Sequence, residues 1–210
     1  MKKIVLLLLL VPFFGFAKFY EGTIKFANGK SLKGLIEIPD VTDKKVNFKL
    51  SESAKTEKYV IDEIVQLDFP TEKNETVTYI ASLYYKSTMI GKVKGVSEKK
   101  IWLQVIYDGK LKMYIAVDAV TSYGMGSRYG GKTTTTVSYY LKAPNREYPQ
   151  KVFEEYPNSA VVGQFKIVKK LVGTYMEEDC PTLIDLFDKK DLKEKGYSRI
   201  GELYDQNCGK

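Results

Sequence analysis

Hydrophobic and polar positions alternate through most of this chain, up to about Gln150. Tyr20, Gly22, Ile24 and Phe26 interleave with Glu21, Thr23, Lys25 and Ala27, the period-two pattern of a strand with one buried face. Asn28-Gly29 follows, a strong hairpin signal because both residues tolerate positive φ. Leu32, Ile36 and Ile38 line one face of the returning strand, which Pro39-Asp40 ends. Val46, Phe48 and Leu50 alternate again, and residues 58–69 read as two short strands around a turn at Asp62-Glu63. Val77, Tyr79, Ala81, Leu83 and Tyr85 form one further run. Ile101, Leu103, Val105 and Tyr107 lead through Asp108-Gly109 into Leu111, Met113, Ile115 and Val117, a second hairpin with matched arms. Residues 133–141 and 147–152 complete a set of about nine or ten short strands.

After Pro157 the period lengthens. Val161, Phe165, Val168, Val172 and Tyr175 recur every three to four residues, the stripe of an amphipathic helix, with Asn158 or Ser159 as its cap. Asp179-Cys180-Pro181 reads as the start of a second helix carrying Leu183, Ile184, Leu186 and Phe187. The charged residues 188–195 and Gly196 read as a connector, with partial helix as the alternative. Ile200, Leu203 and Tyr204 mark a third helix behind Ser198. The pattern predicts an α+β fold: a mainly antiparallel β barrel or sandwich followed by a small C-terminal bundle of about three helices. Several strands are shorter than the ~9–11 residues of a membrane-spanning strand, which argues against a membrane barrel.

The first seventeen residues are set apart from this scheme. Lys2 and Lys3 precede a thirteen-residue apolar run, Ile4 to Phe16, with leucine at every position from Leu6 to Leu10. Gly15 and Ala17 supply the small residues that a signal peptidase reads, so the segment reads as a secretory signal peptide. It falls short of the ~20 residues of a spanning helix. The expected organisation is a signal peptide at 1–17, a β-rich domain at 18–157 and a helical tail at 158–210. Export to the periplasm, the outer-membrane periphery or the exterior follows, with no transmembrane span after cleavage.

That address governs the reading of the cysteines. Cys180 and Cys208 are the only two in the chain, and in an exported protein such a pair reads as one structural disulfide. Two free thiols or a redox pair are the alternative. Composition narrows the chemistry further. The chain holds no histidine, which excludes histidine-based triads, dyads and imidazole metal sites. Catalysis here would rest on carboxylates, lysine, tyrosine or a bound cofactor, and no motif calls for a cofactor or a metal. The formal charge is +7, but the lysines are spread along the chain and form no basic stripe of the kind that binds nucleic acid.

Three features are candidates for function. The run Gly124 to Gly131 suggests a phosphate loop, yet Tyr129 stands where GxGxxG needs its third glycine and the following residues are strand-like. It reads as a strand connection in which Arg128 offers a fork for anions. Acid pairs occur at Asp62/Glu63, Glu154/Glu155 and Glu177/Glu178/Asp179. A glycosidase needs two carboxylates ~5–10 Å apart across a cleft, whereas these sit near element ends. Sixteen tyrosines are the best hint of binding, since such rings stack on ligands while their hydroxyls stay wet. Tyr84, Tyr114 and Tyr140 fall opposite the more apolar strand face and are expected to form an exposed aromatic surface. Tyr84, Tyr114, Arg128 and Tyr140 are therefore the ligand-binding candidates, and no residue is assigned as catalytic.

Three pieces carry a resemblance: the opening hairpin from Tyr20-Glu21-Gly22-Thr23-Ile24 through Asn28-Gly29-Lys30 to Lys33-Gly34-Leu35-Ile36; the glycine-rich loop with Tyr139-Tyr140-Leu141-Lys142; and the tail, Asp179-Cys180-Pro181-Thr182-Leu183 with Leu203-Tyr204-Asp205-Gln206-Asn207-Cys208. In these the chain resembles a group of exported Bacteroidetes proteins with a β-rich N-terminal region and a two-cysteine helical tail. The resemblance implies export and architecture, and no activity. The expected role is a non-catalytic cell-envelope module that binds or assembles with a glycan, a lipid or a protein. The alternatives are a carboxylate-dependent hydrolase of an envelope or extracellular polymer, and a lipid carrier with an apolar barrel cavity. N-terminal sequencing of the protein recovered from an expressing cell is expected to begin at Lys18; an intact Met1 start would overturn the leader.

Overall fold

The computed structural model describes residues 18–88, 91–122, 132–157 and 163–209. Among the described residues twelve strands form one sheet: β1 Phe19–Phe26, β2 Ser31–Glu37, β3 Lys45–Lys49, β4 Glu57–Val60, β5 Ile64–Pro70, β6 Thr76–Ser82, β7 Tyr85–Ser87, β8 Val93–Val96, β9 Ile101–Asp108, β10 Lys112–Ser122, β11 Lys132–Lys142 and β12 Gln150–Glu155. Helices α1 Gln164–Met176, α2 Lys189–Lys195 and α3 Arg199–Asn207 follow. The strand order is β4-β3-β2-β1-β5-β6-β9-β10-β11-β12-β7-β8. Neighbours are antiparallel except β12 and β7. The fold is α+β, as the pattern predicts. Among the described residues no helix is long and apolar enough to cross a membrane.

Local chemistry sets the turns. In the β1–β2 hairpin, Gly29 N–H donates to the Phe26 carbonyl at 3.0 Å, Phe26 N–H donates to the Lys30 carbonyl at 2.9 Å, and Gly29 has φ 82°. That is a three-residue loop with its left-handed residue last, a longer turn than the two-residue Asn-Gly type. Asn74, at φ 60°, fills the equivalent position between β5 and β6.

Closure of the sheet comes from the link between β6 and β7, which is only Leu83 and Tyr84. The two strands nevertheless lie on opposite sides of the β9–β12 block. Residues 76–87 therefore act as one bent strand, pairing with β9 at one end (Ile80 with Leu103) and with β12 at the other (Tyr85 with Gln150). The run β6-β9-β10-β11-β12-β7 returns on itself as a small barrel. Strand alternation then sorts the side chains. Ile80, Leu103, Tyr114, Ala116 and Tyr140 share one cluster on the inner face. Trp102 points outward from β9 into a second cluster with Ile24, Ile36, Phe48 and Leu67, over which β1–β5 curl. The Trp102 indole N–H donates to the Asp43 carbonyl at 3.0 Å, tying the β2–β3 loop to β9.

The helices cover the outer face of β10–β12. Leu111, Met113, Leu141 and Phe153 pack there with Val168, Val172, Met176, Leu183 and Ile200. Several expected boundaries move. The run from Val77 to Tyr85 is broken at Leu83 and Tyr84, and β8 is an additional strand. The segment after Pro181 forms only a 3₁₀ turn, Pro181–Asp185. The charged segment read as a partly helical connector is helical over Lys189–Lys195 as α2, because the Asp188 carboxylate accepts from Asp191 N–H at 2.8 Å and Gly196, at φ 73°, ends the helix. The expected caps Asn158 and Ser159 and the leader lie outside the described residues.

Polar contacts and one covalent bond fasten this helical layer. The Tyr175 hydroxyl donates to the Leu141 carbonyl at 2.9 Å and accepts from Ala143 N–H at 3.0 Å. The Asp205 carboxylate, on α3, caps the tip of the β9–β10 hairpin: it accepts from Lys110 N–H at 3.0 Å, Leu111 N–H at 3.2 Å and the Tyr107 hydroxyl at 3.0 Å. Gly109 fits there because a Cβ would collide with that carboxylate and with the Tyr107 ring. Cys180 and Cys208 form the disulfide, with Cα atoms 5.9 Å apart, joining the 3₁₀ turn to the end of α3. Chain-entropy arguments assign such a link about 3–4 kcal/mol. Asp205→Ala leaves three donors without their charged acceptor, so urea unfolding is expected to show a loss of about 2–3 kcal/mol. The exposed neighbour change Gln206→Ala serves as the neutral control. A loss under ~0.5 kcal/mol, no larger than an ordinary surface change, would remove Asp205 from its anchoring role.

Candidate cleft at the barrel seam

The barrel closes weakly at one place. β7 and β12 share a single registered pair, backed by Tyr85 N–H donating to the Pro149 carbonyl at 2.8 Å and Ser87 Oγ donating to the Lys151 carbonyl at 2.7 Å. Beyond Ser87 the chain turns away toward β8, while β12 continues to Glu155. α1 runs beside β12, and a cleft of about 610 Å³ lies between β7, β12 and α1. That size is within the ~300–1,000 Å³ range of small-molecule sites.

One wall is a helical stripe. Gln164, Ile167, Val168 and Leu171 line the cleft at the i, i+3, i+4, i+7 spacing of one helix face. Ile167 is 51% exposed, although Val168 beside it is buried against the sheet. At the upstream end of the stripe, Gln164 Nε2 is buried and has no hydrogen-bond partner among the described residues. The opposite wall carries Tyr84, Lys86, Lys151 and Glu154. Tyr84 is held by its backbone: its N–H donates to Ser97 Oγ at 3.0 Å and its carbonyl accepts from Ser97 N–H at 2.8 Å. Its ring meets Tyr140 edge-on, with centroids 5.6 Å apart.

Glu154 is the cleft's carboxylate. Burial by itself would raise its pKa, but hydrogen bonds and charge from Lys151, Tyr156 and Ser138 outweigh that and hold it below the usual carboxylate range. Tyr156 O–H donates at 2.7 Å and Lys151 forms an ion pair. Its neighbour Glu155 faces the other side of β12 and accepts from the Tyr139 hydroxyl at 3.1 Å, so the pleat separates this acid pair. Asp62 and Glu63 lie in an exposed 3₁₀ turn. Glu177, Glu178 and Asp179 follow the end of α1, where Asp179 accepts from Asn145 at 2.7 Å. None of the three acid groups brings two carboxylates to this cleft. A polar groove of about 450 Å³ beside Glu37, Asp43 and Lys58 has no aromatic side chain in its wall.

The tyrosine candidates come together, though not as expected. Tyr114 and Tyr140 are cross-strand partners, and Tyr84 joins them. The expectation of exposure is corrected: Tyr114 is 4% exposed and Tyr140 5%. At the level of Tyr114 and Tyr140, β10 and β11 have barrel interior on one face and helices on the other, so neither ring meets solvent. Burial pushes the Tyr114 phenol up to about 12, with Asp108 adding to the effect. It also raises Tyr140, helped by Tyr84, Asp118 and Glu154. Tyr84 is the candidate that reaches the cleft. Arg128 lies outside the described residues. Sequence reasoning missed Gln164, Ile167 and Leu171; the available signal was an apolar stripe wider than one buried helix face requires.

Comparison with known proteins returns no match: no protein family, no curated protein and no solved structure matches the chain.

The Glu154 carboxyl, depressed in the fold, contributes stability above its unfolded value of ~4.3, and that contribution is lost as pH falls through the folded value. Glu154→Gln is therefore expected to be less stable than the parent at pH 7, with the gap narrowing at pH 3, by urea unfolding at both. A gap of equal size at both would show that the carboxylate is not held ionised by the fold.

Proposed function

We propose that the protein is exported and acts as a non-catalytic binding module of the cell envelope, taking its ligand in the cleft between β7, β12 and α1. The observation that carries this reading is the half-exposed Ile167 on an α1 stripe facing Tyr84 and a held carboxylate across a cleft of about 610 Å³. A rigid wall with an unpaired apolar residue and a few fixed polar groups suits recognition. Export is supported by the leader, by the resemblance to exported Bacteroidetes proteins, and by a disulfide of the kind that persists in oxidising compartments. The rival hydrolase needs a second acid across the cleft, and Glu154 is the one carboxylate among its described lining residues.

Hydrogen exchange on the full chain, with and without a solubilised envelope extract, tests this reading. The extract is expected to slow exchange of the 164–171 amides and of β7. Ile167→Asp is expected to abolish that protection, and Val117→Asp, at a position 49% exposed on β10, to leave it intact. Protection elsewhere, or protection unaffected by Ile167→Asp, would overturn the cleft as the binding surface.

A further inference from the structure

Resting on that reading, we propose that the cleft takes an amphipathic acid: one aliphatic chain along Ile167, Val168 and Leu171, and an anionic head at Gln164 and Lys86. The charges in the wall point this way. Lys151 is engaged by Glu154, and Glu154 also accepts from Tyr156 and Ser138, so these two groups neutralise each other. Lys86 remains, exposed and with no ion pair among the described residues. Gln164 Nε2 is a buried donor without an acceptor among the described residues, an arrangement that native proteins rarely leave unresolved. It occupies the first turn of α1, whose N–H groups also favour negative charge.

The rest of the stripe is aliphatic. Ile167 and Leu171 follow Gln164 along one line of the helix, so a ligand with its acceptor at Gln164 would lay its tail on them. A sugar fits less well, because the α1 wall of the cleft is an aliphatic stripe and the Tyr84 ring is already engaged edge-on with Tyr140. The barrel interior is not the host, since Leu103, Tyr114 and Tyr140 occupy it. The shared chemistry is an anionic head joined to an aliphatic chain, and it has two sources: a free fatty acid, whose head is a carboxylate, and an anionic membrane lipid, whose head is a phosphodiester.

Calorimetric titration of octanoate, decanoate, laurate and dodecanol into the full chain, below their micellar concentrations, tests the proposal. Laurate is expected to bind saturably, one per chain. Affinity should rise with chain length by up to about fourfold per methylene. Lys86→Ala should weaken laurate about tenfold, as for a lost charge-assisted hydrogen bond, and weaken the uncharged dodecanol less than about twofold. Ile167→Asp should abolish both, with circular dichroism confirming the fold. Phosphatidylglycerol vesicles form the second arm: Ile167-dependent vesicle binding assigns the acid to membrane lipid, and laurate binding without it assigns a free acid. Absence of saturable laurate binding, or binding indifferent to Ile167→Asp, overturns the proposal. If laurate fails while envelope extract still protects residues 164–171, the acid is wrong and the cleft reading stands; if both fail, both fall.

Discussion

A single bent strand, residues 76–87, has to pair with β9 at one end and with β12 at the other, and most of the molecule is arranged by that requirement. With only Leu83 and Tyr84 between β6 and β7, the intervening strands must curl until the two sides meet. Curling gives β9, β10 and β11 an inner face, and alternation places Leu103, Tyr114 and Tyr140 there. The outward residues of the same strands then need separate cover. Trp102 obtains it from the β1–β5 sheet and Met113, Leu141 and Phe153 from the helices. Three clusters thus arise from one closure, each using a different set of alternate positions.

The closure is also the origin of the cleft. The seam between β7 and β12 is parallel and brief, while every other junction in the barrel is a longer antiparallel ladder. Where β7 departs, backbone pairing ends and side chains from α1 form the facing wall. α1 is well placed to be a fixed wall because its far end is pinned by Tyr175 to β11, and the segment beyond is tied by the disulfide to α3, which Asp205 fastens to the β9–β10 tip. These contacts are directional and partly buried, so they specify position more than they add apolar stabilisation.

Much of the fold was legible in the residue pattern. Period-two runs marked β1, β2, β3, β9, β10 and β11, and the two hairpins at Asn28-Gly29 and Asp108-Gly109 were correctly placed. What failed were features decided by partners distant in sequence. The run from Val77 to Tyr85 alternates without a break, yet it bends at Leu83 because its two ends pair with different strands. The lysine-rich segment 189–195, read as a partly helical connector, is a helix delimited locally by Asp188 and Gly196. Of the candidate site, Tyr84 was legible and Tyr114 and Tyr140 were misread, since a strand buried on both faces can carry tyrosine on the less apolar one. Ile167 and Leu171 could not be separated from the buried stripe beside them, because the missing strand wall that leaves them open is a property of the seam.

The linear chain by itself determined the class of structure, the positions of most strands, the helical character of the tail and the exclusion of histidine chemistry, since these depend on local periodicity, turn residues and composition. The two cysteines were read as one disulfide with free thiols or a redox pair as the alternative, and the structure shows the bond. Tertiary structure alone decided that the sheet closes, that Tyr114 and Tyr140 are interior, and that Gln164, Ile167, Tyr84 and Glu154 share one cleft. Those outcomes depend on which strands become neighbours across long stretches of chain, and a two-residue link at Leu83 and Tyr84 carries that information only when both of its ends are paired.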